Sequence, residues 1–221
     1  MDELKLGKLT YLVKYPEGFS ENGKYPVLFF LHGAGTRGTD TEVLRENVFF
    51  ELTENMNLPF IMVAPLCSEN TWLDCFEHLR WLVKEVAKLD YTDEKRIYLT
   101  GNSMGGYGTW YLAMSVPEYF AAIVPICGGG IPWNAGRLVN VPVWAFHGAK
   151  DDCVPLEESE KMVDAVNRAG GNAKLTIYPD CDHLSWTPTY SNPEVFAWLL
   201  KHESNCKAEY EDKYTDSVIY G

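Results

Sequence analysis

The sequence predicts a three-layer α/β sandwich around a mostly parallel central sheet. Short apolar and β-branched runs alternate with helical stripes along the chain. Three of those runs, Pro26–Leu31, Pro59–Pro65 and Val141–Phe146, are apolar at nearly every position, as strands covered on both faces are. Each stripe is long enough to serve as a crossover between parallel strands.

Taken in order, Leu9–Tyr15 alternates enough for an edge strand, closed by Pro16-Glu17-Gly18. Asn22-Gly23-Lys24 reads as a hairpin turn into the strand 26–31, so the sheet is expected to start antiparallel. A glycine-dense loop, His32 to Gly38, follows, then a helix over 40–56 and a buried strand over 59–65. Residues 66–73 form a loop holding Trp72. From Asp74 to Leu89 the apolar positions Phe76, Leu79, Leu82, Val83, Val86 and Leu89 make a helical stripe. Strands at 96–100, 121–126, 141–146 and 173–178 alternate with helices starting at Tyr107, Glu157 and Glu194, the last opened by Pro193. With no internal repeat and no linker, residues 1–202 form one domain, followed by a polar, acidic tail over 203–221.

A chain of 221 residues, 46% apolar and 23% charged, has the composition of a globular domain with a substantial core. No apolar run approaches the length of a membrane span, and the acidic start Met1-Asp2-Glu3-Leu4-Lys5 is no secretory signal, so the cytoplasm is expected. A net charge of −12 argues against nucleic acid or an anionic membrane as partner. None of the six cysteines forms a Cys-x-x-Cys pair, so free thiols are expected, with Cys153 and Cys181 near each other in space. Five scattered histidines carry no zinc-ligand spacing, and no metal or other cofactor is expected. Oligomeric state has no signature in the chain.

The stretch that concentrates chemistry is Gly101-Asn102-Ser103-Met104-Gly105-Gly106, between the strand 96–100 and an apolar helix. Strand, tight Gly-x-Ser-x-Gly turn and helix together make a nucleophile elbow, with the serine held in strain at the carboxyl edge of the sheet. A phosphate-binding turn fits less well, since neither Gly-x-Gly-x-x-Gly nor Gly-Lys-Ser/Thr is present.

A serine hydroxyl needs a base, and the base needs an orienting carboxylate. In this strand–turn–helix context the partners follow in the order Ser, acid, His. His32 and His78 precede Ser103, His147 ends a buried strand and reads as structural, and His202 sits in the last turn of a helix. His183, in the loop Pro179–Trp186, is what remains. The acid belongs after the strand 141–146, where Asp151 and Asp152 are adjacent; residue chemistry alone does not choose between them. Two backbone N–H groups must hold an oxyanion: Met104, just after the serine, and Ala34, in the glycine loop at the end of the neighbouring strand.

Together these motifs resemble the α/β-hydrolase superfamily. The resemblance is to small carboxylesterases and phospholipases, "predicted peptidases", dienelactone-hydrolase-like proteins and feruloyl or acetyl xylan esterases. Its carriers are Leu31–Gly38, Gly101–Trp110, His147-Gly148-x-x-Asp151-x-x-Val154-Pro155 and His183-x-x-Trp186, which extend over most of the chain to Lys201. The resemblance implies the α/β-hydrolase fold and assigns the acid to Asp151. Thr36 stands where relatives often carry glutamate, and Asn102 where the elbow often has a larger residue, departures that bear on substrate rather than chemistry.

The expected activity is therefore acyl transfer from a small or saccharide-linked ester through an acyl-enzyme on Ser103. Only Cys127 to Asn140 separates the strands where caps are commonly inserted, so no large cap and an open site are expected, suiting short acyl groups or acyl decorations on a bulky chain. Trp72, Trp133 and Trp186 are candidate walls of the substrate site, and Arg37 a candidate carboxylate contact. Two other readings compete: a serine peptidase of the prolyl-oligopeptidase type, and a hydrolase-like binding protein without activity.

Overall fold

In β3 (Tyr25–Leu31) successive side chains enter opposite cores: Val27, Phe29 and Leu31 on one face, Leu28 and Phe30 on the other. That is why its sequence is a continuous apolar run rather than an alternation. The computed structural model describes residues 1–204, so the tail beyond Ser204, with Cys206, lies outside the described residues. Around β3 the sheet has eight strands in the order β1-β2-β4-β3-β5-β6-β7-β8, with β1 Asp2–Leu6, β2 Leu9–Lys14, β4 Ile61–Leu66, β5 Thr92–Asn102, β6 Ala122–Ile126, β7 Val143–Gly148 and β8 Ala173–Tyr178. β1 and β2 pair antiparallel and β2 joins β4 antiparallel; every later pairing is parallel.

Helices cover both faces. α1 (Glu42–Arg45), α2 (Val48–Thr53), α6 (Trp186–Tyr190) and α7 (Pro193–Leu199) bury Leu44, Phe49, Phe50, Tyr190, Val195 and Phe196 on the Leu28/Phe30 side. α3 (Phe76–Ala87), α4 (Met104–Ser115) and α5 (Glu157–Arg168) cover the other side, with Leu82, Trp110 and Met162 among their buried residues. The expected three layers, the parallel centre and the antiparallel start are all present. The segment between β6 and β7 holds a 3₁₀ turn, Pro132–Leu138, and no cap.

Three expectations are corrected. Residues 22–24 do not form a hairpin: Gly23 N–H closes a turn on Ser20 O, but β4 lies between β2 and β3. β2 is also not the edge. That place is taken by β1, whose largely polar Asp-Glu-Leu-Lys-Leu is exposed almost throughout and so has no apolar alternation to betray it. The helix over 40–56 is broken, because Asn47 is extended (ψ 135°) and its side chain accepts the Phe49 N–H at 3.0 Å, capping α2 in place of continuing α1.

Phe30 anchors the second core. Its ring stacks on Phe49 at 4.1 Å and meets Phe50 and Tyr190 edge-on. Phe30→Ala is expected to cost about 3–5 kcal/mol in urea unfolding, the range for emptying a fully packed aromatic site.

Candidate active site

Ser103 is the single residue between β5 and α4, at φ 57° and ψ −119°. A non-glycine residue there costs about 1–3 kcal/mol and persists only where its surroundings over-determine it. Here they do. Ser103 N–H donates to Ile126 O at the end of β6, and Ser103 O accepts from Tyr107 N–H, both at 3.0 Å. Gly105 lies so close to β3 that a Cβ would collide with the Leu31 carbonyl oxygen. The sharp turn is thus clamped between β3 and β6, and Met104 begins α4 with an N–H that has no partner within the helix.

The loops after β7 and β8 bring the other two groups. A Cβ on Gly148 would strike the Cys181 and Asp182 carbonyls, so its bare backbone lets the two loops touch. Lys150 N–H then bonds Cys181 O at 2.9 Å. In this arrangement His183 Nε2 lies 2.9 Å from Ser103 Oγ, and His183 Nδ1 lies 2.8 Å from Asp151 Oδ2. Asp151 rather than Asp152 makes that contact. Its Oδ1 accepts the N–H groups of Cys153 and Val154, each at 2.9 Å, and the side chain is enclosed. Burial pushes the Asp151 carboxyl up, but the Val154 and Cys153 N–H groups and the His183 ring outweigh it and hold the carboxyl below its usual value. Trp186 meets the His183 ring edge-on at 5.3 Å.

The glycine loop beside the serine is a 3₁₀ turn, Ala34–Thr36, closed by Thr36 N–H to Gly33 O and Arg37 N–H to Ala34 O. A Cβ on Gly33 would lie 3.6 Å from Ser103 Cβ, which places the turn against Ser103. Buried His32 organises it: Nδ1–H donates to Gly33 O at 2.7 Å and Nε2 accepts Cys67 N–H at 3.0 Å. Trp72 Nε1–H donates to His32 O at 3.0 Å. Burial pushes His32 down to about 4, with the Gly33 hydrogen bond opposing and Arg37 adding to the fall. Arg37 donates to Ala34 O and to Asn70 O and Oδ1, binding this loop to the one after β4.

Residues 63–203 match the Dienelactone hydrolase family. The chain belongs to that family. A crystal structure of a thermostable esterase superposes with a TM-score of 0.75 at 34% identity, covering 88% of this chain and 59% of that one. A carboxymethylenebutenolidase-like protein of Escherichia coli (strain K12) is 27% identical over 110 residues, covering 44% of this chain and 41% of that protein. The bifunctional acetylxylan esterase/xylanase XynS20E of Neocallimastix patriciarum is 28% identical over 181 residues, 71% of this chain and 26% of its own length. The chain thus spans less than two thirds of the length of each of these relatives. Its own fold is that of the α/β-hydrolases.

Beside the Ser103 turn this dienelactone hydrolase family member has a largely apolar recess of about 340 Å³, lined by Thr71, Trp72, Leu73, Met104, Tyr107, Gly108 and Tyr111. Met104, Tyr107, Gly108 and Tyr111 are spaced i, i+3, i+4, i+7, one face of α4. That spacing was the available sequence signal for this wall, hidden because the whole helix is apolar. Burial pushes the Tyr107 hydroxyl up to about 12, so it stays protonated. Of the three tryptophans, Trp72 contributes to the recess but is 1% exposed and holds the loop, Trp186 backs His183, and Trp133 stands 84% exposed on the turn after β6.

All five cysteines among the described residues are free: Cys153 and Cys181 are unpaired, and the Cys67 and Cys75 sulfurs lie 3.7 Å apart. Cys127, Asp151 and His183 place ligand atoms within 4.8 Å of one another. Burial pushes the Cys127 thiol up to about 12, which makes it a poor metal ligand, and His183 and Asp151 already engage each other.

Because His32 is held neutral in the fold, the unfolded chain binds more protons between its ordinary 6.5 and about 4. Stability from this ring is complete above 6.5 and is lost as pH falls toward 4, by about 3 kcal/mol in all. Urea unfolding at pH 7.5 and 4.5 is expected to show the gap between wild type and His32→Asn narrowing by most of that amount.

Proposed function

We propose that this chain is a serine hydrolase of carboxylic esters acting through an acyl-enzyme on Ser103. The observation that carries the reading is the hydrogen-bonded series Ser103–His183–Asp151 at a strained turn beside free helix-start N–H groups. Ser103 Oγ attacks the ester carbonyl as its proton passes to His183 Nε2. Asp151 stays ionised, keeps the Nδ1–H tautomer and favours the imidazolium. The N–H groups of Ala34 and Met104 receive the oxyanion. The tetrahedral species collapses as the C–O bond to the alcohol breaks and His183 returns the proton to the leaving oxygen. Water, deprotonated by His183, then cleaves the acyl-enzyme and restores Ser103.

The recess sits on the Met104 side of the serine, which suits it to the acyl group. Its aromatic and aliphatic walls favour an aryl or short-to-medium alkyl acyl group over a charged one. Without a cap between β6 and β7, the alcohol side is open, consistent with an acyl group carried on a saccharide, as the name of the acetylxylan esterase relative describes.

On nitrophenyl acetate, Ser103→Ala is expected to lower kcat by at least about 10⁴-fold and to abolish fluorophosphonate labelling. Retained activity in that variant sinks the reading, and an unlabelled wild type points to a silent binding protein. Faster turnover of an aminoacyl-nitroanilide would point to a peptidase. Across a series of alkyl nitrophenyl esters, each methylene entering the recess is expected to raise kcat/KM about fourfold, from about 0.8 kcal/mol per buried methylene. The increase stops where the recess is full.

A further inference from the structure

The Asp151 carboxylate has a fourth neighbour that the mechanism does not use. His147, in β7, is fully buried, and its Nε2 lies 3.2 Å from Asp151 Oδ2, the same oxygen that His183 engages. The same Nε2 is 2.9 Å from Val154 O. Both neighbours are acceptors, since a carbonyl oxygen cannot donate and Asp151 is ionised, so Nε2 must carry hydrogen. His147 Nδ1 accepts from Ser159 Oγ of α5 at 2.7 Å, and Ser159 Oγ lies 3.0 Å from Gly128 O. Gly128 in turn backs directly onto Gly106 and Tyr107 at the start of α4, where a side chain would collide. One connected series therefore runs from the orienting carboxylate to the backbone of the nucleophile's helix.

We propose that His147 is a positioning residue: its Nε2–H, shared between Asp151 and Val154 O, fixes the carboxylate rotamer and tempers the negative charge that His183 feels. This rests on the reading of Ser103, His183 and Asp151 given above. The titratable groups facing Asp151 are His147 from β7, Cys127 from the end of β6, Tyr107 from α4, and Cys181 and His183 from the loop after β8, with Asp182 between them in the chain. Asp152 and Cys153 flank it on its own loop. Among these, only the two histidines approach the carboxylate as ring N–H donors. Removing the His147 donor leaves more charge on Oδ2, which stabilises the His183 imidazolium. The acid limb of kcat/KM, which follows loss of the base's proton in the free enzyme, must then move to higher pH.

The test compares His147→Phe, His147→Asn and His147→Gln on nitrophenyl acetate. Only glutamine can carry an amide N–H to where Nε2 lies. In Phe and Asn, plateau kcat/KM is expected to fall about 10- to 100-fold, as for other groups that orient a reacting ligand, with KM little changed. The acid limb rises by about half to one pH unit, and Gln restores most of both. Should the Phe variant not fold, the Asn–Gln pair carries the comparison. The low-field proton resonance of His183 Nδ1–H, followed in a Ser103→Ala background, gives a readout independent of turnover. It is expected to shift with Asn and not with Gln. If Asn and Gln lose activity alike with the acid limb and the resonance unmoved, His147 is merely part of the core and the proposal is overturned. Activity surviving in Ser103→Ala itself would instead overturn the esterase reading and leave the resonance test standing.

Discussion

The close approach of Gly105 to the Leu31 carbonyl is the constraint on which the site depends. It is possible only without a side chain at 105, and it sets how near α4 can start to the end of β3. Because β3 and β5 are parallel neighbours, with Leu31 opposite Gly101, that approach puts the residues leaving β3 beside the residue leaving β5. Ser103 and the 3₁₀ turn Ala34–Thr36 therefore face each other as a result of strand pairing, before any side-chain contact is considered. The strain at Ser103 is held by backbone hydrogen bonds to β6 and α4, so it survives changes in the surrounding side chains.

A second layer of order comes from buried histidines that do no proton transfer themselves. His32 satisfies two backbone groups and shapes the loop that carries Ala34. His147 lies behind Asp151 in a comparable position on the other side of the serine. In both cases an imidazole is worth burying because it joins two segments of the chain through opposite ring atoms, two loops for His32 and a loop and α5 for His147, which no apolar residue of that size can do.

The sequence made the catalytic candidates readable because each lies in a short motif whose spacing the chemistry dictates. Ser103, His183 and the pair Asp151/Asp152 could be found from the elbow motif, the order of the partners along the chain and elimination of the other histidines; the choice of Asp151 needed a family pattern, since two adjacent aspartates differ only in which one the loop turns inward. The recess was not readable. Its walls come from α4 and from the loop after β4, which meet only in the folded chain, and a helix that is apolar all round gives no sign of which face is left uncovered. β1 escaped notice for the opposite reason, as an exposed edge strand needs no apolar pattern. The Asn22-Gly23 turn misled because a local turn says that the chain reverses, not that the strands on either side of it pair.

Arg37 shows how the two readings converge on specificity. In the sequence it is a candidate carboxylate contact, weighed against a structural role. In the fold its guanidinium holds Ala34 O and both oxygens of Asn70, so it joins the Ala34–Thr36 turn to the loop bearing Thr71, Trp72 and Leu73. The wall of the recess and the N–H group beside the serine are then parts of one connected unit, with Trp72 tied to His32 O and Cys67 N–H to the His32 ring. A substitution that reshapes the recess through Trp72 or Arg37 must also move the Ala34–Thr36 turn beside Ser103. Leu73 and Tyr111, which line the recess, take no part in those ties. The shape of the recess is therefore free to change at Leu73 and Tyr111, while changes at Trp72 and Arg37 also disturb the turn beside Ser103.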